Sequence, residues 1–134
     1  MKRGPVVASG NAAGQEKKLV LLVDDELDIA QTFAWLFEWN GFDVLCASDG
    51  RQALEILGKH EPDIIISDCM MPVMDGVELS RKVRDGPASR KIPIILMSAA
   101  PAQHNLSEAE FDVFLQKPFR FDALLAEVSR LLGT

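Results

Sequence analysis

The chain has 134 residues, of which 48% are hydrophobic and 25% charged, with a net charge of −6; this is the makeup of one globular domain with a full core. No apolar run is long enough to span a membrane, and Lys2 and Arg3 have no apolar stretch behind them, so no signal-peptide pattern is present. Residues 1–18 set Lys2, Arg3, Lys17 and Lys18 against Glu16 alone, so the acidic excess is concentrated in the rest of the chain; that argues against direct nucleic acid binding through phosphates and for binding a divalent cation.

Residues 1–18 are rich in Gly, Ala and Ser without apolar periodicity, which predicts a flexible tail ahead of a domain over 19–134. "LVLLV" (19–23) is a continuous apolar run, the pattern of a strand buried on both faces. A helix is expected over about 27–40, stopped by Gly41. "DVLCA" (43–47) reads as a strand, 50–60 as a helix, "DIIIS" (63–67) as a strand, and a further helix begins after Gly76. "IPIILMS" (92–98) and "DVFLQ" (112–116) read as strands, and "FDALLAEVSRLL" (121–132) as an amphipathic closing helix. Cys46 and Cys69 form neither a C-x-x-C pair nor a metal spacing, which fits a reduced, cytoplasmic protein.

Five βα units imply a parallel sheet with helices on both faces, and ligands of such sheets bind beyond the carboxyl ends of the strands. The residues there are Asp24, Asp25 and Glu26 after the first strand, Asp68 after the third, Ser98 after the fourth and Lys117 after the fifth. Two carboxylates about 4 Å apart repel by ~4 kcal/mol at an effective dielectric near 20. Lys117 offsets part of that, and Mg²⁺, a hard cation that takes oxygen ligands, would offset the rest. One Mg²⁺, one lysine and one hydroxyl suit the peripheral oxygens of a phosphoryl group, with Asp68 as the nucleophile that accepts it. Each residue also has a plainer reading. Asp24 would cap a helix, Asp68 would open the turn before "MPVMDG", Ser98 would be an N-cap, and Lys117 a solvated surface lysine. Their joint fall on one sheet edge favours the shared site.

"LLVDDE", "IIISDCMMPVMDG", "IILMSA" and "FLQKPF" together resemble the receiver (REC) domain of bacterial two-component response regulators, and the resemblance spans residues 19–132. It implies a flavodoxin-like fold with strand order 2-1-3-4-5. It implies that Asp68 is the phosphoacceptor, that Asp25 is a direct Mg²⁺ ligand and Asp24 one acting through water, and that the backbone carbonyl of Met70 completes the metal set. Lys117 matches the lysine that pairs with Asp68, Ser98 the switch hydroxyl, Phe114 the aromatic that follows it, and Lys117–Pro118 a cis peptide. The implied partner is a histidine kinase or histidine phosphotransfer protein, with phosphorylation changing the surface of the fourth and fifth units.

The 99–111 stretch departs from the family pattern. Only Leu106 and Phe111 are large enough to anchor a helix there, so two helical turns at most, or a mobile segment docked mainly through Leu106, are expected, started by Pro101 or by a capping box of Ser107 and Glu110. His60 and His104 are isolated and read as surface residues. Ile29, Phe33, Leu36 and Phe37 share one face of the first helix and are expected in the core; Trp35 and Trp39 fall off it and are expected to form a surface for a partner or a second copy. Three other functions compete with this reading. A degenerate receiver would act as a phosphorylation-independent docking module. A hydrolase on a similar sheet would need an acid where Met70 stands. A dinucleotide-binding protein would need G-x-G-x-x-G after the first strand.

Overall fold

The computed structural model describes residues 17–134, and the expected tail over 1–18 lies, but for Lys17 and Lys18, outside the described residues. Five strands alternate with helices: β1 Leu19–Val23, α1 Leu27–Trp39, β2 Asp43–Ala47, α2 Gly50–Leu57, β3 Ile64–Asp68, α3 Gly76–Asp85, β4 Ile94–Ser98, β5 Val113–Gln116 and α4 Phe121–Leu132. All pair in parallel in the order β2-β1-β3-β4-β5. β1, β3 and β4 are buried at every position, which is why they read as continuous apolar runs.

Successive strand residues point to opposite faces. Val20, Leu22, Ile64, Ile66, Ile95 and Met97 form one layer with α1 and α4. Leu21, Val23, Ile65, Ile94 and Leu96 form the other with α2 and α3. The buried face of α1 is Ala30, Ala34 and Phe37, with Phe33 partly covered. This corrects the expected core set, because Ile29 is exposed and Leu36 only half-buried. The two alanines sit at i and i+4 and allow the helix axis to approach the sheet, which a stripe of large residues would prevent. Trp35 and Trp39 stand in solvent at 63% and 88% exposure, as expected. Gly41, at φ 93°, supplies the left-handed residue that ends α1.

The β4–β5 connection carries no α-helix. Two single 3₁₀ turns, Pro101–Gln103 and Leu106–Glu108, replace it. Pro101 opens the first, as its missing N–H allows. The second starts at Asn105 rather than at a capping box: Ser107 lies inside the turn, and its hydroxyl donates to Asn105 Oδ1. Leu106, Ala109 and Phe111 cover the sheet there. At the far end of the sheet, Asp112 accepts bonds from Ile94 N–H and from Arg84, and Arg84 also donates to the Ile92 carbonyl, which ties α3 to the starts of β4 and β5. Among the described residues no helix is long and apolar enough to cross a membrane.

The β3–α3 loop is held tightly. Val73 sits at φ 70° between the Pro72 carbonyl and the Met74 N–H that bonds it, a strained γ-turn conformation for a β-branched residue. Gly76 donates to the Cys69 carbonyl, and a Cβ at Gly76 would run into the backbone carbonyl of Asp68. Gly76→Ala should therefore lower the denaturant midpoint by an amount equal to about 1–3 kcal/mol, the usual cost of overpacking, and should disturb Asp68 before anything else.

Candidate functional site

The sheet register assembles the site. Val23 pairs with Ser67, Asp68 with Met97, and Ser98 with Gln116. Asp24, Asp68, Ser98 and Lys117 therefore lie at adjacent strand ends. The Lys117 N–H bonds the Ser98 carbonyl and the Asp24 N–H bonds the Ala47 carbonyl, extending the ladder one step past the strands. Asp68 is itself the last residue of β3, which runs one position past the expected end at Ser67, and is 6% exposed. β1 and β3 are neighbours whose next partners lie on opposite sides, so the cleft opens at the topological switch point.

Carboxylate oxygens of Asp24, Asp25 and Asp68 lie within 4.8 Å of one another. Asp24 is buried, and so is Asp68, while Asp25 is exposed. The Lys117 ammonium meets Asp68 Oδ2 at 3.0 Å, and the Met70 N–H donates to Asp68 Oδ1 at 3.2 Å. Burial alone would lower the pKa of Lys117, but the hydrogen bond it donates to Asp68 and the charges of Asp68, Asp24 and Glu26 outweigh it and raise the value above the ordinary one. The lysine is thus held cationic. Asp24 Oδ1 accepts the Glu26 N–H at 2.9 Å, whereas Asp24 Oδ2 is buried without a hydrogen-bond partner. Burial, reinforced by the charge of Asp68, pushes the Asp24 pKa up to about 6 against the pull of that N–H and of Lys117. An orphaned buried carboxylate oxygen beside two more carboxylates, all hard oxygen donors, fits a divalent cation.

Asp25, Asp68, Met70, Ser98, Ala100 and Lys117 are among the residues lining an open cleft of about 310 Å³. Met70 is half-exposed at its rim. Ser98 is 2% exposed, and its hydroxyl accepts the Ala100 N–H at 3.0 Å and lies 3.1 Å from His104 Nε2. His104 is thus not the isolated surface residue expected from sequence; the 3₁₀ turn before it carries the ring back to the sheet edge. His60 is exposed as expected. Phe114 is half-buried, 6.3 Å from the Phe111 ring. Lys117–Pro118 is cis. Cys69 is buried behind Asp68, and burial together with the charges of Asp68 and Asp75 pushes its thiol up to about 12, which leaves it inert. The cap reading of Asp24 and the solvated-lysine reading of Lys117 do not describe the structure, whereas Asp68 Oδ1 and Ser98 Oγ each accept the N–H two residues on, of Met70 and Ala100, as turn residues do. Glu26, not Asp24, is the N-cap of α1, and Asp75, not Asp68, caps α3 by accepting the Glu78 N–H.

The model of the response regulator receiver domain family matches residues 20–129. The chain belongs to that family. Response regulator MprA of Mycolicibacterium vanbaalenii is 34% identical over 119 residues, covering 84% of this chain and 49% of that protein, so the chain spans about half the length of this relative. The receiver domain of a signal transduction histidine kinase from Syntrophus aciditrophicus is 33% identical with a TM-score of 0.82, over 87% of this chain and 90% of that one. The receiver domain of the sensor histidine kinase PA1611 from Pseudomonas aeruginosa is 28% identical with a TM-score of 0.82, over 89% and 100%, and its structure holds a magnesium ion coordinated in the active-site cleft.

The raised Asp24 pKa sets the pH dependence of the metal-free receiver. A carboxyl group whose folded pKa lies above the unfolded 3.8 contributes stability that is full below about pH 4 and is lost as pH rises through about 6. Asp24→Asn keeps the acceptor for the Glu26 N–H and removes the charge. In EDTA at pH 7.5 it should stabilise the fold by on the order of 1 kcal/mol, and the gain should vanish at pH 4. Denaturant melts at the two pH values check this; a lower midpoint for the variant at pH 7.5 would refute it.

Proposed function

We propose that this receiver accepts a phosphoryl group on Asp68 from a phosphohistidine of a histidine kinase or histidine phosphotransfer protein in a cytoplasmic two-component pathway. The observation that carries this reading is the Asp68 carboxylate, fixed by the Lys117 ammonium and the Met70 N–H and open to the cleft beside an unpartnered Asp24 oxygen. An Asp68 oxygen forms the new O–P bond as the donor's N–P bond breaks, and the donor imidazole keeps the electron pair. Lys117 leaves its full share in the carboxylate to pair with a phosphoryl oxygen as that oxygen gathers charge. The buried Ser98 hydroxyl, on the same cleft, offers a further donor, and half-buried Phe114, in register with Leu96 on the neighbouring strand, carries the change towards the surface of the last two units. Asp24, Asp25 and Asp68, with the Met70 carbonyl, would hold Mg²⁺. That ion, when bound, would supply positive charge that offsets both the carboxylates and the incoming phosphoryl oxygens.

The presence of the whole acid, hydroxyl and lysine set speaks against a phosphorylation-independent docking module. Trp35 and Trp39, wide open on α1, supply the surface for the phosphodonor protein or a second copy of the chain.

Incubation with acetyl phosphate and Mg²⁺ should add one phosphoryl group by intact mass. EDTA or Asp68→Asn should abolish the addition, and labelling of Asp68→Asn at the wild-type level would overturn the assignment. Trp35→Ala should leave stability within about 0.5 kcal/mol, as for other surface substitutions, and leave acetyl phosphate labelling unchanged. It should weaken docking to a phosphotransfer protein by about 5-fold or more, the scale of an interface residue whose loss exceeds 1 kcal/mol. A large loss of stability would instead place Trp35 in the core.

A further inference from the structure

His104 touches a residue of the cleft, Ser98, and nothing above uses it. Its Nε2 lies 3.1 Å from the Ser98 hydroxyl, and this is a contact between a half-buried imidazole and a hydroxyl that is 2% exposed. A serine hydroxyl has one hydrogen to give and two lone pairs to receive with. One lone pair of Ser98 Oγ is taken by the Ala100 N–H at 3.0 Å. Among the described residues, Ser98 Oγ has two hydrogen-bond partners, the Ala100 N–H and His104 Nε2. Ala100 N–H is a donor, so the imidazole is the one group of the pair that can take the hydroxyl hydrogen. Asp68 has its own donors, Lys117 and the Met70 N–H.

The backbone explains how a histidine six residues on from Ser98 returns to it. The 3₁₀ turn Pro101–Gln103 is closed by the His104 N–H to the Pro101 carbonyl. His104 itself then steps into extended backbone, at φ −123° and ψ 151°, and does not continue the helix. On its other side the ring lines an open groove between α3 and the two 3₁₀ turns, with Asp75, Glu78, Asp85 and Glu108 among its walls together with Arg81 and Lys82.

We propose that His104 is a positioning residue for the phosphoryl site: in the unmodified receiver its Nε2 takes the Ser98 hydroxyl hydrogen, and the phosphoryl group competes for that same hydrogen. This deepens, and rests on, the reading of Asp68 as phosphoacceptor. When a phosphoryl oxygen accepts from Ser98, the Oγ–H···Nε2 bond is exchanged for Oγ–H···O–P, and no covalent bond to hydrogen breaks. The imidazole is released towards the groove beside α3. The occupied state of the site is thereby written into the conformation of residues 101–105, through one side chain. The same exchange makes His104 a brake, because the phosphoryl group must displace the imidazole before it gains the hydroxyl.

Beryllofluoride with Mg²⁺, a stand-in for the phosphoryl group, tests this on the full chain. Nitrogen-detected NMR of the imidazole should show the His104 Nε2 resonance moving when beryllofluoride saturates the wild-type protein. Ser98→Ala should move it the same way without any addition, and beryllofluoride should then move it no further. His104→Phe, which keeps a ring but removes the nitrogen, should lower the half-saturating beryllofluoride concentration by about 2- to 10-fold, the range one neutral hydrogen bond commands. His104→Gln, whose amide restores a partner for the hydroxyl, should return it to the wild-type value. An Nε2 resonance unmoved at saturation, or a His104→Phe receiver that binds no more tightly, would overturn the proposal and leave Asp68 as phosphoacceptor. If the wild-type protein binds no beryllofluoride at all, both readings fall together.

Discussion

Three carboxylates with oxygens inside 4.8 Å of one another face a single lysine ammonium, and the architecture of this receiver is the means of holding them there. Left to themselves these groups would separate, since unit charges about 4 Å apart repel by ~4 kcal/mol at an effective dielectric near 20. The sheet prevents it. Asp68 is the last residue of a strand buried on both faces, and Asp24 follows directly on another. Moving either would break ladder bonds in the densest part of the molecule. The cost shows in the orphaned Asp24 oxygen and in an Asp24 pKa raised first by burial and then by the charge of Asp68. Stability is given up at the strand ends and recovered in the layers on either side.

The loop after β3 extends the same logic. Its γ-turn at Val73, its close approach at Gly76 and the Met70 N–H on Asp68 leave the Asp68 carboxylate little freedom. In the proposed phosphoryl transfer, a carboxylate fixed in place would lose less entropy on reaction than a mobile one. The cleft side of Asp68 is rigid, while the face beyond β4, covered by two 3₁₀ turns, has little regular structure to keep it in one arrangement. Rigid chemistry on one side and a light cover on the other is the arrangement a signalling domain needs.

Strands announce themselves in the amino-acid order because β1 is apolar throughout and β3 and β4 open on apolar runs, and a parallel sheet lets the edge residues be read together. The thin β4–β5 connection was equally legible, since alanine, serine and asparagine offer little to anchor a helix. The buried side of α1 was not. Ile29 and Leu36 looked like core, but the helix turns Ala30 and Ala34 inward, and alanine carries too weak a hydrophobic signal to advertise a packing face. His104 escaped for a different reason. Its contact with Ser98 depends on a break between two 3₁₀ turns, and no local spacing rule encodes where a chain will leave a helix after one turn. Similarly, Ser107 and Glu110 match a capping pattern, while Asn105, two residues earlier, is the start.

The two 3₁₀ turns have a consequence for how such a domain can vary. Lys117 is aligned by the β4–β5 ladder, through its N–H on the Ser98 carbonyl, and not by the path the chain takes between those strands. That path has only to cover the sheet with Leu106, Ala109 and Phe111 and to bring one imidazole to the edge. Doubling the length of a flexible connection costs only about 0.6 kcal/mol in closure entropy. The segment can therefore be lengthened, shortened or rewritten with little penalty to folding, while the reactive edge stays in register. The strand ladder and the connection that crosses it can thus change independently, so long as the covering side chains and the imidazole contact with Ser98 are kept.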